Sequence, residues 1–282
     1  MKSPVGSAAG FLLQLPLCNF ITLVQANLIA GLTYSTPLTV PTGAEAVSQY
    51  IQNKTGPLTS PGTDVVAFLK LTSQSSLNLN ASTISAFQTA FPADWPEAEY
   101  LGESAATQPP ADLTQTDILV GGSNPGIRIA LLASFSRGNI TIDSTSMADP
   151  PVISPNWLLD PRDRALAIAA FKYGRFITNT TSIRSVTGPL GETVPGPAVQ
   201  SDERILEYIL GSVTSIFHGS CTCKMGLRND SMAVVDSEAR VIGVNGLRVV
   251  DVSAFPFLVP GQPQSMVYAL AEKIADVILA GQ

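Results

Sequence analysis

The residues best suited to chemistry stand together near the C-terminus. His218, the only histidine in the sequence, opens the run His218-Gly219-Ser220-Cys221-Thr222-Cys223-Lys224-Met225-Gly226. An imidazole with an ordinary pKa near ~6.5 exchanges protons at physiological pH, so His218 qualifies as a general acid or base. A hydrogen-bonded structural histidine is the competing reading, and residue type alone leaves both open. Metal binding is disfavoured. The spacing His-x-x-Cys-x-Cys is poor, Cys18 is the sole further cysteine, and a structural zinc site takes four ligands.

Elements must hold this run in place. Ser201 reads as the N-cap of a helix with Ile205, Tyr208, Ile209 and Ile216 on one face, ending just before His218. Beyond the run, apolar stretches at 241–244 and 247–250 flank Asn245-Gly246, a strong hairpin signal. A last helix is predicted over 263–280, with Val267, Leu270, Ala271, Ile274 and Ile278 inward and Gly281 as the stop. Upstream, 127–135 and 140–143 read as a hairpin around Arg137-Gly138-Asn139. Asp160-Pro161-Arg162-Asp163 supplies a cap, a proline at the first helical position and an acid in the first turn. Leu166, Ala169, Ala170, Tyr173 and Ile177 follow at helical spacing. A short helix is predicted near 44–53, loops at 102–113 and a turn at 121–126. Antiparallel strands with segregated helices give an α+β class rather than a parallel doubly wound sheet.

Composition narrows the partners. Charged residues make up only 13% of the chain, 22 acidic against 16 basic, for a net charge of -6 with no long basic run. This argues against nucleic acid or an anionic membrane as the main partner. Between Ser3 and Ala44 no residue is charged, and 11–32 is mostly apolar, with Val24-Gln25-Ala26 suited to a leader cleavage site. Gln14, Pro16, Asn19, Gln25 and Asn27 interrupt the run, so a membrane-spanning helix is not expected; a signal peptide and a buried or mis-set N-terminal segment are the two readings. Sequons at Asn53, Asn80, Asn139, Asn179 and Asn229 point to the secretory pathway or an extracellular location.

Together with the segments downstream of it, the His218 run becomes specific. His218 through Gly226 resembles the histidine signature of the glucose–methanol–choline (GMC) flavin oxidoreductases, in the fungal branch of aryl-alcohol oxidases and versicolorin B synthase-like proteins. Ala233-Val234-Val235-Asp236 and Gly246-Leu247-Arg248-Val249-Val250-Asp251-Val252-Ser253, with Phe255-Pro256, match the family's next block. Pro260-Gly261-Gln262-Pro263-Gln264-Ser265 and Tyr268-Ala269-Leu270-Ala271-Glu272 match its last. Ser136-Arg137-Gly138-Asn139-Ile140, Asp149-Pro150-Pro151 and Asn53-Lys54-Thr55-Gly56-Pro57-Leu58 resemble parts of the substrate domain. The resemblance divides the chain into an uncharged segment at 1–44, a substrate-binding domain at 45–216 and a C-terminal block at 217–282.

The resemblance implies an antiparallel sheet with helices packed on one side, and FAD-dependent oxidation of a small-molecule alcohol or polyketide-like substrate in fungal secondary metabolism. His218 is then the group that accepts the alcohol proton, and Gln262 the partner hydrogen-bonded to the same oxygen. The family has His or Asn there; an amide donates and accepts hydrogen bonds but does not carry a proton at neutral pH. Asp251, Val252, Pro263 and Gln264 occupy flavin-touching positions, and Asp251 also reads as a strand-end cap. The family holds the FAD pyrophosphate on a Gly-x-Gly-x-x-Gly turn of a Rossmann unit. No such run occurs in this sequence, and the chain alone is expected to bind FAD weakly or not at all. The alternatives are a non-redox cyclase or dehydratase like versicolorin B synthase, and an inactive fragment serving as an interaction module.

Overall fold

In the computed structural model, residues 13–15, 19–28, 43–59, 63–103, 126–184 and 187–281 are described. Their elements follow in chain order: β1 (Leu13–Leu15), β2 (Asn19–Leu28), α1 (Gly43–Asn53), β3 (Thr63–Leu69), α2 (Ala81–Ala90), β4 (Ala98–Glu103), β5 (Gly126–Leu131), β6 (Gly138–Thr141) and β7 (Val152–Ser154). Then come α3 (Pro161–Thr178), α4 (Thr181–Arg184), β8 (Thr187–Val194), α5 (Asp202–Ser212) and α6 (Gln264–Gly281). The strands form a five-stranded sheet in the order β3-β4-β5-β2-β8 and a three-stranded sheet in the order β1-β6-β7. The pairs β3–β4, β4–β5, β2–β8, β1–β6 and β6–β7 are antiparallel. The α+β class expected from the sequence is the one found.

Two compact units interleave along the chain. The first comprises Met1–Asn19, Ser134–Asp163 and Ser215–Gln282; the second comprises Phe20–Ala133 and Arg164–Thr214. In the second, Ala98 and Tyr100 of β4, Ile129 and Leu131 of β5, Leu166, Ala170 and Phe171 of α3, and Ile205 and Ile209 of α5 are buried. The Tyr100 hydroxyl donates to the Ala170 carbonyl at 2.9 Å, giving the buried phenol a partner. Glu97, also fully buried, accepts from the Thr72 amide at 2.7 Å and the Thr72 hydroxyl at 2.6 Å. A buried carboxylate needs such donors to offset its lost hydration.

Local signals predicted the entrances of α3 and α5, while α2 and α4 were not foreseen. Asp160 accepts from the Arg162 amide at 2.8 Å at the start of α3, and Ser201 from the Arg204 amide at 3.3 Å at the start of α5. Four expectations are corrected. The hairpin over 127–143 does not form, because β5 and β6 belong to different sheets. Residues 132–137 carry the chain from one sheet to the other instead of turning back. Around Asn245-Gly246 no regular hairpin strands form: the chain closes on an isolated Arg240–Arg248 bridge and the bond from the Val241 amide to the Leu247 carbonyl, with Gly246 at φ 76°. Ile216 lies beyond the end of α5. In α6, Ile274 is buried and Val267 and Leu270 are half-buried, but Ala271 and Ile278 are exposed.

The N-terminal stretch weighed as a leader contributes two strands, with Gln25 paired to Val194 across β2–β8. The rest of 1–42 lies outside the described residues, as do the loop and turn predicted within 104–125. No helix among the described residues is long and apolar enough to cross a membrane.

Candidate functional site

The run 217–226 belongs to the first unit and is pinned by its backbone. The amides of Cys221, Cys223 and Met225 donate to the carbonyls of Val252, Ser253 and Ala254 at 3.2, 2.8 and 2.8 Å. This lays the run along the segment that carries Asp251 and Val252. Cys221, Phe255 and Leu258 form a small apolar core, and Val252, Val267 and Leu270 pack on it, so the run, that segment and α6 share one anchor. At its far end Gly226 admits no side chain: a Cβ there stands 2.9 Å from the Ala233 Cβ and 3.1 Å from Asp230 Oδ2. Lys224 locks the same corner with an ion pair to Asp230 at 2.6 Å.

Two residues with side chains sit in the left-handed region on either side of His218, Phe217 at φ 66° and Cys221 at φ 64°. Such conformations cost of order 1–3 kcal/mol each and persist where surrounding bonds impose them. Here the Phe217 amide donates to Ser215 Oγ at 2.9 Å, and the ladder to 252–254 fixes Cys221. The imidazole between them is half-buried and makes no hydrogen bond among the described residues. Burial pushes the His218 pKa below its ordinary value of 6.5, which favours the uncharged ring at neutral pH. That is the state a general base requires. Cys221 is in the opposite condition: burial pushes its thiol up to about 11, so it remains protonated and a poor nucleophile or metal ligand.

Gln262, Pro263 and Gln264 follow Gly261, a buried glycine at φ 90° that turns the chain into α6. The Val267 amide donates to the Pro263 carbonyl at 3.0 Å, so Pro263 lies at the helix entrance and Gln264 is its first residue. Gln262 and Gln264 are exposed. Asp251 uses one carboxylate oxygen to accept from the Ser253 amide at 2.7 Å, capping a 3-10 turn over Val252–Ala254. His218, Asp251, Val252, Gln262, Pro263 and Gln264 therefore all fall in the first unit. The first turn of α6 contains no acidic residue, so the positive end of its dipole is not neutralised from within. This fits the anionic pyrimidine end of a reduced flavin, which Val252, Pro263 and Gln264 would border. A cradle for the two phosphates is not among the sequence's motifs.

Sequence reasoning passed over the most heavily bonded group in this unit. Asp163, read only as an acid in a first helical turn, is fully buried. Its Oδ2 accepts from Ser134 Oγ, the Ser136 amide and Ser136 Oγ at 2.8, 2.7 and 2.5 Å, and its Oδ1 from the Phe135 amide at 2.9 Å. Arg137 closes the same loop, with Nη1 donating to the carbonyls of Ser134 at 2.7 Å and Ser136 at 2.9 Å. Burial pulls its pKa down, while the charge of Asp163 acts against that. The hydroxyl pair Ser134 and Ser136 was the available sequence signal.

The family model described as GMC oxidoreductase matches residues 134–271, which include Arg137, Asp163, His218 and Gln262. Versicolorin B synthase of Aspergillus parasiticus is 44% identical over 238 residues, covering 84% of this chain and 35% of that protein. Patulin synthase of Penicillium expansum is 44% identical over 233 residues, covering 82% of this chain and 37% of that protein. The chain thus spans little more than a third of the length of these relatives. The crystal structure of a formate oxidase superposes with a TM-score of 0.78 at 20% identity, covering 94% of this chain and 47% of that one. A fungal aryl-alcohol oxidase superposes with a TM-score of 0.70 at 22% identity, covering 95% and 48%. With the match spanning both the Asp163 loop and the His218 run, residues 134–271 are identified with the GMC oxidoreductase family.

Proposed function

We propose that this chain is the substrate-side and flavin-facing part of an FAD-dependent oxidoreductase that acts on a CH–OH group of a small-molecule, polyketide-like alcohol in fungal secondary metabolism. The observation that carries the reading is the His218 imidazole: neutral, half-buried, without a hydrogen-bond partner among the described residues, and bracketed by two strained residues. In this role His218 takes the hydroxyl proton as the carbonyl forms, and the Gln262 amide donates a hydrogen bond to the same oxygen. Pro263 and Gln264 at the α6 entrance, with Asp251 and Val252, border the flavin ring. Held by these residues, a flavin would supply the hydride-accepting chemistry. The phosphate end of FAD needs a nucleotide-binding segment that the chain's motifs do not supply, so the chain alone holds FAD weakly.

The test joins this chain to the nucleotide-binding segment of a relative such as the versicolorin B synthase and follows flavin absorbance under anaerobic addition of aryl alcohols. Bleaching that is lost in His218→Ala supports the reading; bleaching unaffected by that change removes it. The 44% identity to versicolorin B synthase favours a second reading, a non-redox synthase in which His218 acts as acid or base on the substrate. Turnover without bleaching selects it.

The secretory route is part of the same proposal. Asn53, Asn80, Asn179 and Asn229 of the sequons are exposed, and a mobility shift on glycosidase treatment of the fungal protein checks it. Nucleic acid and membrane surfaces are not proposed as partners, given the net charge of -6.

A further inference from the structure

Three arginines in this molecule are anchored well enough to compare. Arg162 presents Nε and Nη2 to the two oxygens of Asp160 at 2.9 and 2.6 Å and stacks on the Phe135 ring, 3.6 Å from its centroid. Arg175 presents the same two atoms to Glu192 at 2.8 and 2.7 Å and stacks on Phe171, 4.6 Å from its centroid. In both, the planar fork of guanidinium donors grips a carboxylate with two parallel hydrogen bonds, the arrangement for which this side chain is best suited.

Arg137 is anchored just as firmly, but by its other edge. Both Nη1 hydrogens are engaged by the carbonyls of Ser134 and Ser136, and its own carbonyl accepts from Asn156 Nδ2 at 3.0 Å. Its Nε and Nη2 have no acceptor among the described residues. The nearby carboxylate, Asp163, is occupied by two amides and two hydroxyls. Nor is the fork sealed. Among the described side chains that are not exposed, Trp157 Nε1 is the one nitrogen or oxygen that is both buried from solvent and without a partner, so Nε and Nη2 of Arg137 reach solvent. The guanidinium also stands in the electrostatic reach of Cys221, three positions after His218 in the same unit.

We propose that the Nε/Nη2 edge of Arg137 is a binding point for the carboxylate of a small-molecule ligand, gripped as Asp160 is by Arg162 and Glu192 by Arg175. Anchoring the Nη1 edge on two carbonyls fixes the plane of the guanidinium before the ligand arrives. Less side-chain entropy is then lost on binding than for a free arginine. A lysine at this position carries the charge without the two-pronged geometry. The site needs no flavin, so it stands or falls apart from the proposed oxidation.

The experiment uses the full chain and two flat probes of matched shape, benzoate and the neutral benzamide, titrated by ligand-observed NMR. Benzoate is expected to saturate the protein with an affinity about tenfold or more above that of benzamide, the scale of one charge-assisted bidentate contact. Arg137→Gln is expected to abolish that preference, and Arg137→Lys to leave only part of it, with thermal melting recorded for each. Equal affinities for benzoate and benzamide in the unaltered chain overturn the proposal, as does a preference retained in a folded Arg137→Gln. If Arg137→Gln does not fold, Arg137→Lys decides: an undiminished preference there shows that point charge, not the fork, is responsible, and overturns it equally.

Discussion

Two loops of the same unit, 134–137 and 217–226, treat their polar groups in opposite ways. In the first, the carboxylate of Asp163 collects four hydrogen bonds and the segment it holds contains no residue in the left-handed region. In the second, strain stands on both sides of His218 and the imidazole has no hydrogen bond among the described residues. Saturated groups resist change of position; unsatisfied groups are available for chemistry. The difference marks the Asp163 carboxylate and the backbone it holds as scaffold, apart from the open edge of Arg137, and the second loop as the place of the proposed reaction; each assignment can be broken separately.

The largest effect is expected at His218. In a form that holds FAD, His218→Ala is expected to lower kcat/KM by roughly 10²–10⁴-fold, the usual contribution of a general base, while the far-ultraviolet dichroism stays unchanged. The unaltered protein should show an acid limb. Because burial lowers the pKa, the neutral base persists above the folded value, and the rate falls only as pH drops through a midpoint below 6.5. A limb centred above that value would mean that another group is titrating.

Asp163→Asn tests the scaffold. It removes a buried charge and turns one acceptor into a donor facing amides and hydroxyls that themselves donate, at an expected cost of about 3 kcal/mol in urea denaturation. A loss below ~1 kcal/mol contradicts the assignment. Third in size is Tyr100→Phe, which deletes the hydroxyl bonded to the Ala170 carbonyl and nothing else. The same measurement should register about 1 kcal/mol, the net value of one hydrogen bond. No change there would mean that water replaces the bond, and that α3 is fastened to β4 by apolar contact alone.

How far the sequence revealed this depends on where each signal resides. The entrances of α3 and α5 were legible because Asp160 and Ser201 cap amides two and three residues away. The His218 run was singled out by its resemblance to the GMC signature, since residue type alone left a structural histidine open. Asp163 was not, because its donors lie 27 to 29 residues upstream, and one side chain does not announce contacts at that range. The false hairpin at 127–143 has the same origin: a turn signal at Arg137-Gly138-Asn139 says the chain can reverse, not which sheet receives the next strand. Comparing α3 with α6, both 18 residues long, shows the limit of periodicity. In α3 the inward positions Leu166, Ala169 and Ala170 are buried as expected. In α6 only Ile274 is, while Tyr268 is 65% and Leu279 72% exposed. An apolar stripe specifies that a helix has an inner face, but not that the rest of this chain covers it.

The smallest effect is the most discriminating, because stability and activity should move in opposite directions. Phe217 is 76% exposed, so replacing it removes little packing, and its φ of 66° is one that glycine adopts without strain. Phe217→Gly therefore relieves a conformational cost of order 1–3 kcal/mol. Against that, glycine gives the unfolded chain roughly 0.5–1 kcal/mol of additional entropy to lose. The net expectation is a gain in stability below about 1 kcal/mol in urea denaturation. The same freedom loosens the residue next to His218, so kcat/KM in the FAD-holding form should fall severalfold while the Asp163 loop, judged by amide exchange at Phe135 and Ser136, stays as protected as before. A loss of stability would show that the Phe217 ring is a packing residue. A gain in stability with unchanged kcat/KM would show that the strain at 217 serves nothing at His218, and the contrast between the two loops would then rest on the imidazole alone.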